Sequence, residues 1–396
     1  MGWTLMFRHT MLGFVFIALL FASVSGADTF KNTETDELLH GYLTSKVVSG
    51  KTEAVTQEKG IIAINTMKWE VTADRKGRNN KVIVVIYEGP MMKQIETDAL
   101  KNALVESADT GPLFILLELD TPGGRIDFAT DVAGAIYAIR KICPVITYVK
   151  SEKQGGAISA GVAVALSGEK VFIAKNAVIG GATSYAVTES GPTEFKKAYG
   201  EEIGAKFQSI WQGFLASTAE QGGRPGILAK AMVDKDIEVI EIEKQGKREF
   251  IELVNKKPDD KIVHTWSTKG SLLTLTGEEA VGCTIADKNA ESREEVLKDM
   301  NAETAEIVVN NAVQEAADEL GRIEKRLDMV KKSIDRQIKE IELGLPKPKW
   351  MKTVRELRVN LKYLITMAKK YPDLELNIEE LQKSLNTVEA NYNKEK

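Results

Sequence analysis

The residues best suited to chemistry in this chain sit in two glycine-rich stretches. The first is LDTPGG at 119–124, which closes the apolar run LFILLEL at 113–119. Pro122 fixes one turn dihedral, and Gly123 and Gly124 let the backbone bend with its N–H groups turned outward. Outward N–H groups can stabilise an oxyanion, although the same residues also make an ordinary strand-to-helix turn. The second stretch is GGAISAGVAVALSGEKVFIAKNAVIGGAT at 155–183, where Gly155, Gly156, Ala157, Ala160 and Gly161 crowd Ser159. A serine opening a helix of Ala, Gly and Val has its hydroxyl near the positive helix end, and small neighbours leave room for a peptide. A capping serine on a tightly packed helix would carry the same sequence.

Other chemistries find less support. The three histidines, His9, His40 and His264, are scattered, and no His/Cys set has metal-ligand spacing. There is no P-loop, and the glycine pairs do not match a dinucleotide fingerprint, so neither metal nor cofactor is expected. Cys143 and Cys283 have apolar neighbours and read as small buried hydrophobes rather than as a disulfide framework or a catalytic thiol. A net charge of −4 over 396 residues gives no sign of nucleic-acid binding.

The elements that must position the two stretches follow from periodicity. Runs at 82–87 (VIVVIY, unbroken by charge), 113–119, 145–149 (VITYV) and 171–174 (VFIA) are rich in β-branched and apolar residues, as in buried parallel strands. Helical spacing at 92–107 and 126–141 alternates with them, which predicts right-handed βαβ units and a largely parallel sheet. Residues 238–270 read as an added β-hairpin with KQGK at 244–247 as its turn. From about 301 the apolar residues step by four and three, through Val309, Val313, Ala316 and Leu320 and again from Val354 and Leu374. That pattern predicts three amphipathic helices with coiled-coil spacing, broken at 343–348 and 371–373, folded into a hairpin or small bundle. Their apolar seam invites a second chain or a partner protein.

At the other end, Arg8, the apolar run 11–22 and the small residues Ser23, Ser25, Gly26 and Ala27 have the layout of a signal peptide. Cleavage near 25–27 predicts export to a periplasmic or extracellular space, and an uncleaved segment would anchor the chain to a membrane. Residues 28–80 are polar and mixed, with a helix-like patch (DELLHGYL) and a short β-like run (GIIAI), and predict a weakly structured lead-in. The expected organisation is thus a signal peptide at 1–27, a polar segment at 28–80, a catalytic-type core at 81–300 and helices at 301–396.

Taken together, the two glycine stretches resemble the ClpP/crotonase superfamily. More closely, they resemble ClpP-class serine proteases of the NfeD type, relatives of signal peptide peptidase A. The resemblance covers about residues 80–300 and implies an α/β ClpP/crotonase-like core. In that family the serine of the Ser-Ala-Gly step is the nucleophile, which corresponds to Ser159. Oxyanion donors then correspond to the N–H groups of Gly123 or Gly124 and of Ala160. ClpP keeps its histidine just after the strand that follows the nucleophile helix, where this chain has NAVIGGATS. A Ser-Lys dyad is implied instead, because a desolvated lysine can accept the serine proton. Dyad members place that lysine ahead of a Leu-Thr-x-Glu-Glu-Ala segment. Here AKAMVDKDIEV precedes LTGEEA at 275–280 and offers Lys235. The chain departs from the family by the 238–270 segment and by ending in helices. The resemblance implies a serine endopeptidase acting on exported or membrane-associated polypeptides, assembled as a homo-oligomer. Two further readings are an acyl-thioester enzyme on the shared fold and a catalytically silent assembly module.

Overall fold

The computed structural model describes residues 28–48, 50–56, 58–65, 67–72, 78–188, 191–303 and 305–395. The signal-peptide reading of 1–27 lies outside these residues. The chain divides into two compact units, one comprising residues up to Pro90 with Asn102–Asn310, the other Met91–Lys101 with Asn311–Lys396.

The first unit opens with an antiparallel sheet rather than a weakly structured lead-in. Its strands are β1 (Asp28–Asn32), β2 (Leu38–Val48), β3 (Lys51–Thr56), β4 (Gly60–Ile64) and β5 (Trp69–Thr72), in the order β4-β3-β2-β1-β5. The patch DELLHGYL, expected to be helical, lies mostly in β2. Leu39 is buried and Leu38 exposed, so the side chains alternate, as pairing with β1 requires. Phe30, Leu39, Ala54 and Ile64 form its core.

The α/β part follows. Strand β6 (Asn79–Glu88) leads through helix α1 (Gln94–Asp109) to β7 (Pro112–Asp120), then α2 (Ile126–Ile139) and β8 (Val145–Val149). After β9 (Gly156–Ile158) and α3 (Gly161–Ser167) come β10 (Lys170–Ile173), β11 (Val178–Gly180), and the hairpin β12 (Tyr185–Thr188) and β13 (Gly191–Glu194). Helices α4 (Phe195–Tyr199), α5 (Glu201–Gln221) and α6 (Gly226–Ala231) precede a three-stranded sheet of β14 (Val239–Lys244), β15 (Lys247–Glu252) and β16 (Lys261–Thr265). The unit ends with β17 (Thr274–Thr276), α7 (Gly277–Gly282), β18 (Lys288–Asn289), α8 (Arg293–Asp299) and β19 (Glu306–Asn310).

Six of these strands form one sheet in the order β18-β10-β8-β7-β6-β19, and every neighbouring pair is parallel. All nine residues of β7 and all five of β8 are buried, which explains their largely apolar sequence, and the acids near the end of β7 are partnered, Glu118 by Lys150 and Arg293. Helix α2 covers the sheet with Phe128, Ala129, Val132, Ala133, Ile136 and Ile139, spaced to share one face. The sheet runs past residue 300. Val309, read as the first heptad step, instead lies in β19 against Val84. The expected hairpin is present, with Gln245 and Gly246 in the left-handed region at its turn, and β16 adds a third strand to it.

The second unit contains helices α9 (Ala312–Glu342), α10 (Lys347–Lys370) and α11 (Ile378–Glu395), separated at the expected breaks. They pack around Leu327, Ile334, Leu357, Leu361, Leu364, Ile365 and Leu385. Among the described residues no helix is long and apolar enough to cross a membrane.

Candidate active site

The site begins where β7 leaves the sheet. Its last residue, Asp120, is buried, and its carboxylate accepts four backbone N–H groups: Glu152 at 3.1 Å, Lys153 at 2.7 Å, Gln154 at 3.0 Å and Gly156 at 3.0 Å. Burial alone would raise the Asp120 pKa, but these donors outweigh it and hold the carboxyl below its ordinary value. The loop that leads to Ser159 is therefore folded around a carboxylate. Asp120 was not singled out from the sequence. Its signal is an acid ending a wholly buried strand, which must find partners there.

The two glycine stretches meet just beyond Asp120. Thr121 bridges Ala157 in parallel, with Thr121 N–H donating to Gly156 O (2.7 Å) and Ile158 N–H to Thr121 O (3.0 Å). Strand β9 in turn pairs with β11, and β11 with β17. Ser159 follows β9 with φ +54°, a left-handed conformation uncommon for a residue with a side chain. Its N–H donates to Gly180 O (3.0 Å), and its carbonyl accepts the Val162 N–H (3.1 Å) that opens α3. The serine is half-buried on a sharp strand-to-helix elbow.

Gly123 is pressed against this elbow. A Cβ there would lie 2.5 Å from Ser159 Cβ and 2.7 Å from Ile158 O, and its φ is +95°. Only glycine fits. Gly161 is similarly confined, since its Cβ would meet Thr121 Cγ2 at 2.4 Å. Of the expected oxyanion donors, Ala160 N–H has no acceptor among the described residues. The Gly123 N–H donates to Thr121 Oγ1 (3.1 Å). Gly124 has φ +154° in the same turn.

Lys235 is on the turn that follows α6, and its side chain is exposed. Its backbone is anchored: Lys235 O accepts Gly270 N–H (2.7 Å), Ala182 N–H donates to Met232 O (2.6 Å), and Thr183 Oγ1 to Val233 O (3.2 Å). The turn is thus tied to the segment that continues from β11, the strand that holds Ser159. Lys235 lines a small pocket with Ser184, Phe195, Lys196, Gln208 and Asp234, which does not include Ser159. The buried Ser184 hydroxyl has no partner there among the described residues. Ser159 and Lys235 side chains share no hydrogen bond among the described residues. Two other lysines flanking the nucleophile segment are engaged elsewhere, Lys153 with Glu88 (2.9 Å) and Lys175 with Glu278 (3.6 Å).

The two described histidines lie in other sheets than β9, the strand that leads to Ser159. His40 Nδ1 is 2.6 Å from Glu58 in the N-terminal sheet, and His264 packs on Trp266, ring centroids 4.3 Å apart, in the added sheet. Cys143 and Cys283 are buried and form no disulfide, and desolvation pushes their thiols up to about 11 and about 12. The LTGEEA segment has a structural reason of its own. Thr276 and Glu279 form a capping box that starts α7, fixing the register of β17 against β11.

Residues 85–262 match the sequence profile of the NfeD1b N-terminal domain. The core is NfeD-like. Membrane protein NfeD1b of Bacillus subtilis (strain 168) is 25% identical over 225 residues, 56% of this chain and 42% of that protein. The chain therefore spans less than half the length of the curated relative it matches. Among solved structures, a serine-to-alanine variant of the 1510-N membrane-bound stomatin-specific protease aligns with TM-score 0.43 and 20% identity, over 58% of this chain and 97% of that one. A lysine-to-alanine variant of the same protease with a substrate peptide gives TM-score 0.41 and 23% identity, over 55% and 79%. ClpP1 from Listeria monocytogenes gives 0.31 and 13%, over 54% and 94%. These structural likenesses are too slight to transfer a residue role. The NfeD resemblance first carried by the two glycine stretches is borne out for the core by the profile match.

Proposed function

We propose that the NfeD-like core is a serine endopeptidase with Ser159 as nucleophile. The observation that carries this reading is the elbow: a left-handed serine between β9 and α3, with a glycine turn against its Cβ. Strain held at such a place serves to present a side chain. Ser159 Oγ attacks the scissile carbonyl carbon and loses its proton to Lys235, which passes it to the leaving amine. Water then releases the acyl group from Ser159 by the same route. The oxyanion is held by the Ala160 N–H together with the 123–124 turn. The substrate is an extended polypeptide, exported or membrane-associated, laid beside the strand edge next to Ser159. Assembly as a homo-oligomer, and a partner on the C-terminal helices, belong to the same proposal. Removing 311–396 should change the number of chains per particle counted by light scattering, and an unchanged number would rule against that role for the helices.

A second reading is favoured by one observation: the Lys235 side chain is exposed and unbonded to Ser159. On that reading the core is a catalytically silent assembly module. Fluorophosphonate labelling of the purified chain decides between them. Labelling that disappears in Ser159→Ala supports the peptidase, and equal labelling or peptide hydrolysis in the variant and its parent removes it.

A further inference from the structure

We infer a binding site for a doubly charged oxyanion, of the phosphate class, at the amino-terminal edge of the parallel sheet. It lies at the opposite strand ends from Ser159. A cavity of about 310 Å³ opens beside the starts of β7, β8 and β10, and Arg78, Arg140 and Lys170 line it. The two arginines are half-buried. Among the described residues each makes one hydrogen bond, Arg78 Nη1 donating to Leu113 O (3.4 Å) and Arg140 Nη1 to Ser167 O (3.0 Å). A guanidinium has five N–H donors, so most are unspent among the described residues. Arg140 also stands over the Tyr137 ring at 5.5 Å. Neither arginine, nor Lys170, forms an ion pair among the described residues.

Two acids share the lining, Glu169 and Asp299. Asp299 is already paired with Lys288. With Asp299 neutralised by Lys288, the three lining cations against Glu169 leave a local excess of two positive charges, which a dianion would balance. Phe114 and Pro144 give the cavity apolar walls. Low-dielectric walls strengthen the attraction of a fork of guanidinium donors for an oxyanion.

The test is equilibrium dialysis of the intact chain against labelled inorganic phosphate at low ionic strength. Saturable binding at one site per chain is expected, weakened about tenfold or more by Arg140→Gln and by Arg78→Gln. Lys170→Gln changes an exposed side chain that no contact requires, so it should weaken binding severalfold in a chain that folds as before. Glu169→Gln should tighten binding. Ser159→Ala should leave it unchanged, which separates this site from the peptidase reading. Absence of saturable binding, binding indifferent to all three cation variants, or acetate binding as tightly as phosphate would each overturn the proposal.

Discussion

The two sides of the candidate site are built differently. On the nucleophile side nearly every backbone group is committed. Asp120 holds four N–H groups, Thr121 is bridged to Ala157, Gly180 O takes the Ser159 N–H, and Gly123 fills the only space left. On the lysine side the backbone is anchored, but the Lys235 side chain extends into solvent. The difference teaches where precision was invested. A strained elbow persists only when its surroundings over-determine it, whereas an exposed lysine requires nothing from the fold. On the proposed reading Ser159 is preorganised, and Lys235 would have to come to it.

The largest stability effect should follow from filling the space beside the elbow. Gly123→Ala places a methyl group on Ser159 Cβ at a positive φ, and should cost roughly 2–4 kcal/mol in urea unfolding. A cost near zero would mean the two turns are not locked together. Asp120→Asn should come next, at about 2 kcal/mol, because an amide NH₂ would face donors that need an acceptor. This difference depends on pH. The folded pKa of Asp120 is lowered, so its contribution is complete above the unfolded value of about 3.9 and is lost as pH falls through the folded value. Parent and variant should therefore converge in stability as the solution is acidified below about pH 4. A gap that persists in acid would assign it to packing rather than to the carboxylate.

What could be seen in the sequence divides along the same line. Strands β6, β7, β8 and β10 are legible because burial on both faces leaves a mainly apolar, β-branched-rich run. The elbow is legible in outline because close backbone approach demands glycines and small residues around Ser159. The hairpin turn shows in KQGK because its geometry demands a positive φ. The DELLHGYL patch is not legible. Its leucines fit helical spacing as well as alternation, and only pairing with β1 and β3 selects the strand. Val309 fails for the same reason, since EIVVN is a strand by virtue of the β6 edge it completes. Asp120 escapes motif reading because its role is to hold backbone, and its one signal is its place as an acid ending a wholly buried strand. Lys235 was assigned by resemblance, and a lysine's reach cannot be read from its spacing.

A smaller effect isolates the elbow's strain. Ser159→Gly and Ser159→Ala both remove the hydroxyl, but only glycine adopts φ +54° without penalty. The glycine variant should be more stable than the alanine variant by about 0.5–1 kcal/mol in matched urea melts. Equal stability would show that the elbow relaxes in solution and that the preorganisation is less than the backbone implies.

The smallest expected stability effect belongs to Lys235, and it bears most directly on the comparison. An exposed side chain with no hydrogen bond or ion pair among the described residues should be replaceable within about 0.5 kcal/mol, so Lys235→Ala should melt with the parent. Its effect on hydrolysis is a separate matter. If Lys235 takes the Ser159 proton, Lys235→Ala should lose activity about as fully as Ser159→Ala, and the double variant should be no worse, because members of one catalytic unit are not additive. Suppose instead that Lys235→Ala hydrolyses peptide at the parent's rate while Ser159→Ala is dead. The elbow would still present a nucleophile, and its base would lie elsewhere. If neither substitution changes anything, the strained elbow is architecture, and the silent-module reading stands. A variant that leaves stability untouched is therefore the one that can separate a poised dyad from a serine held in place for packing alone.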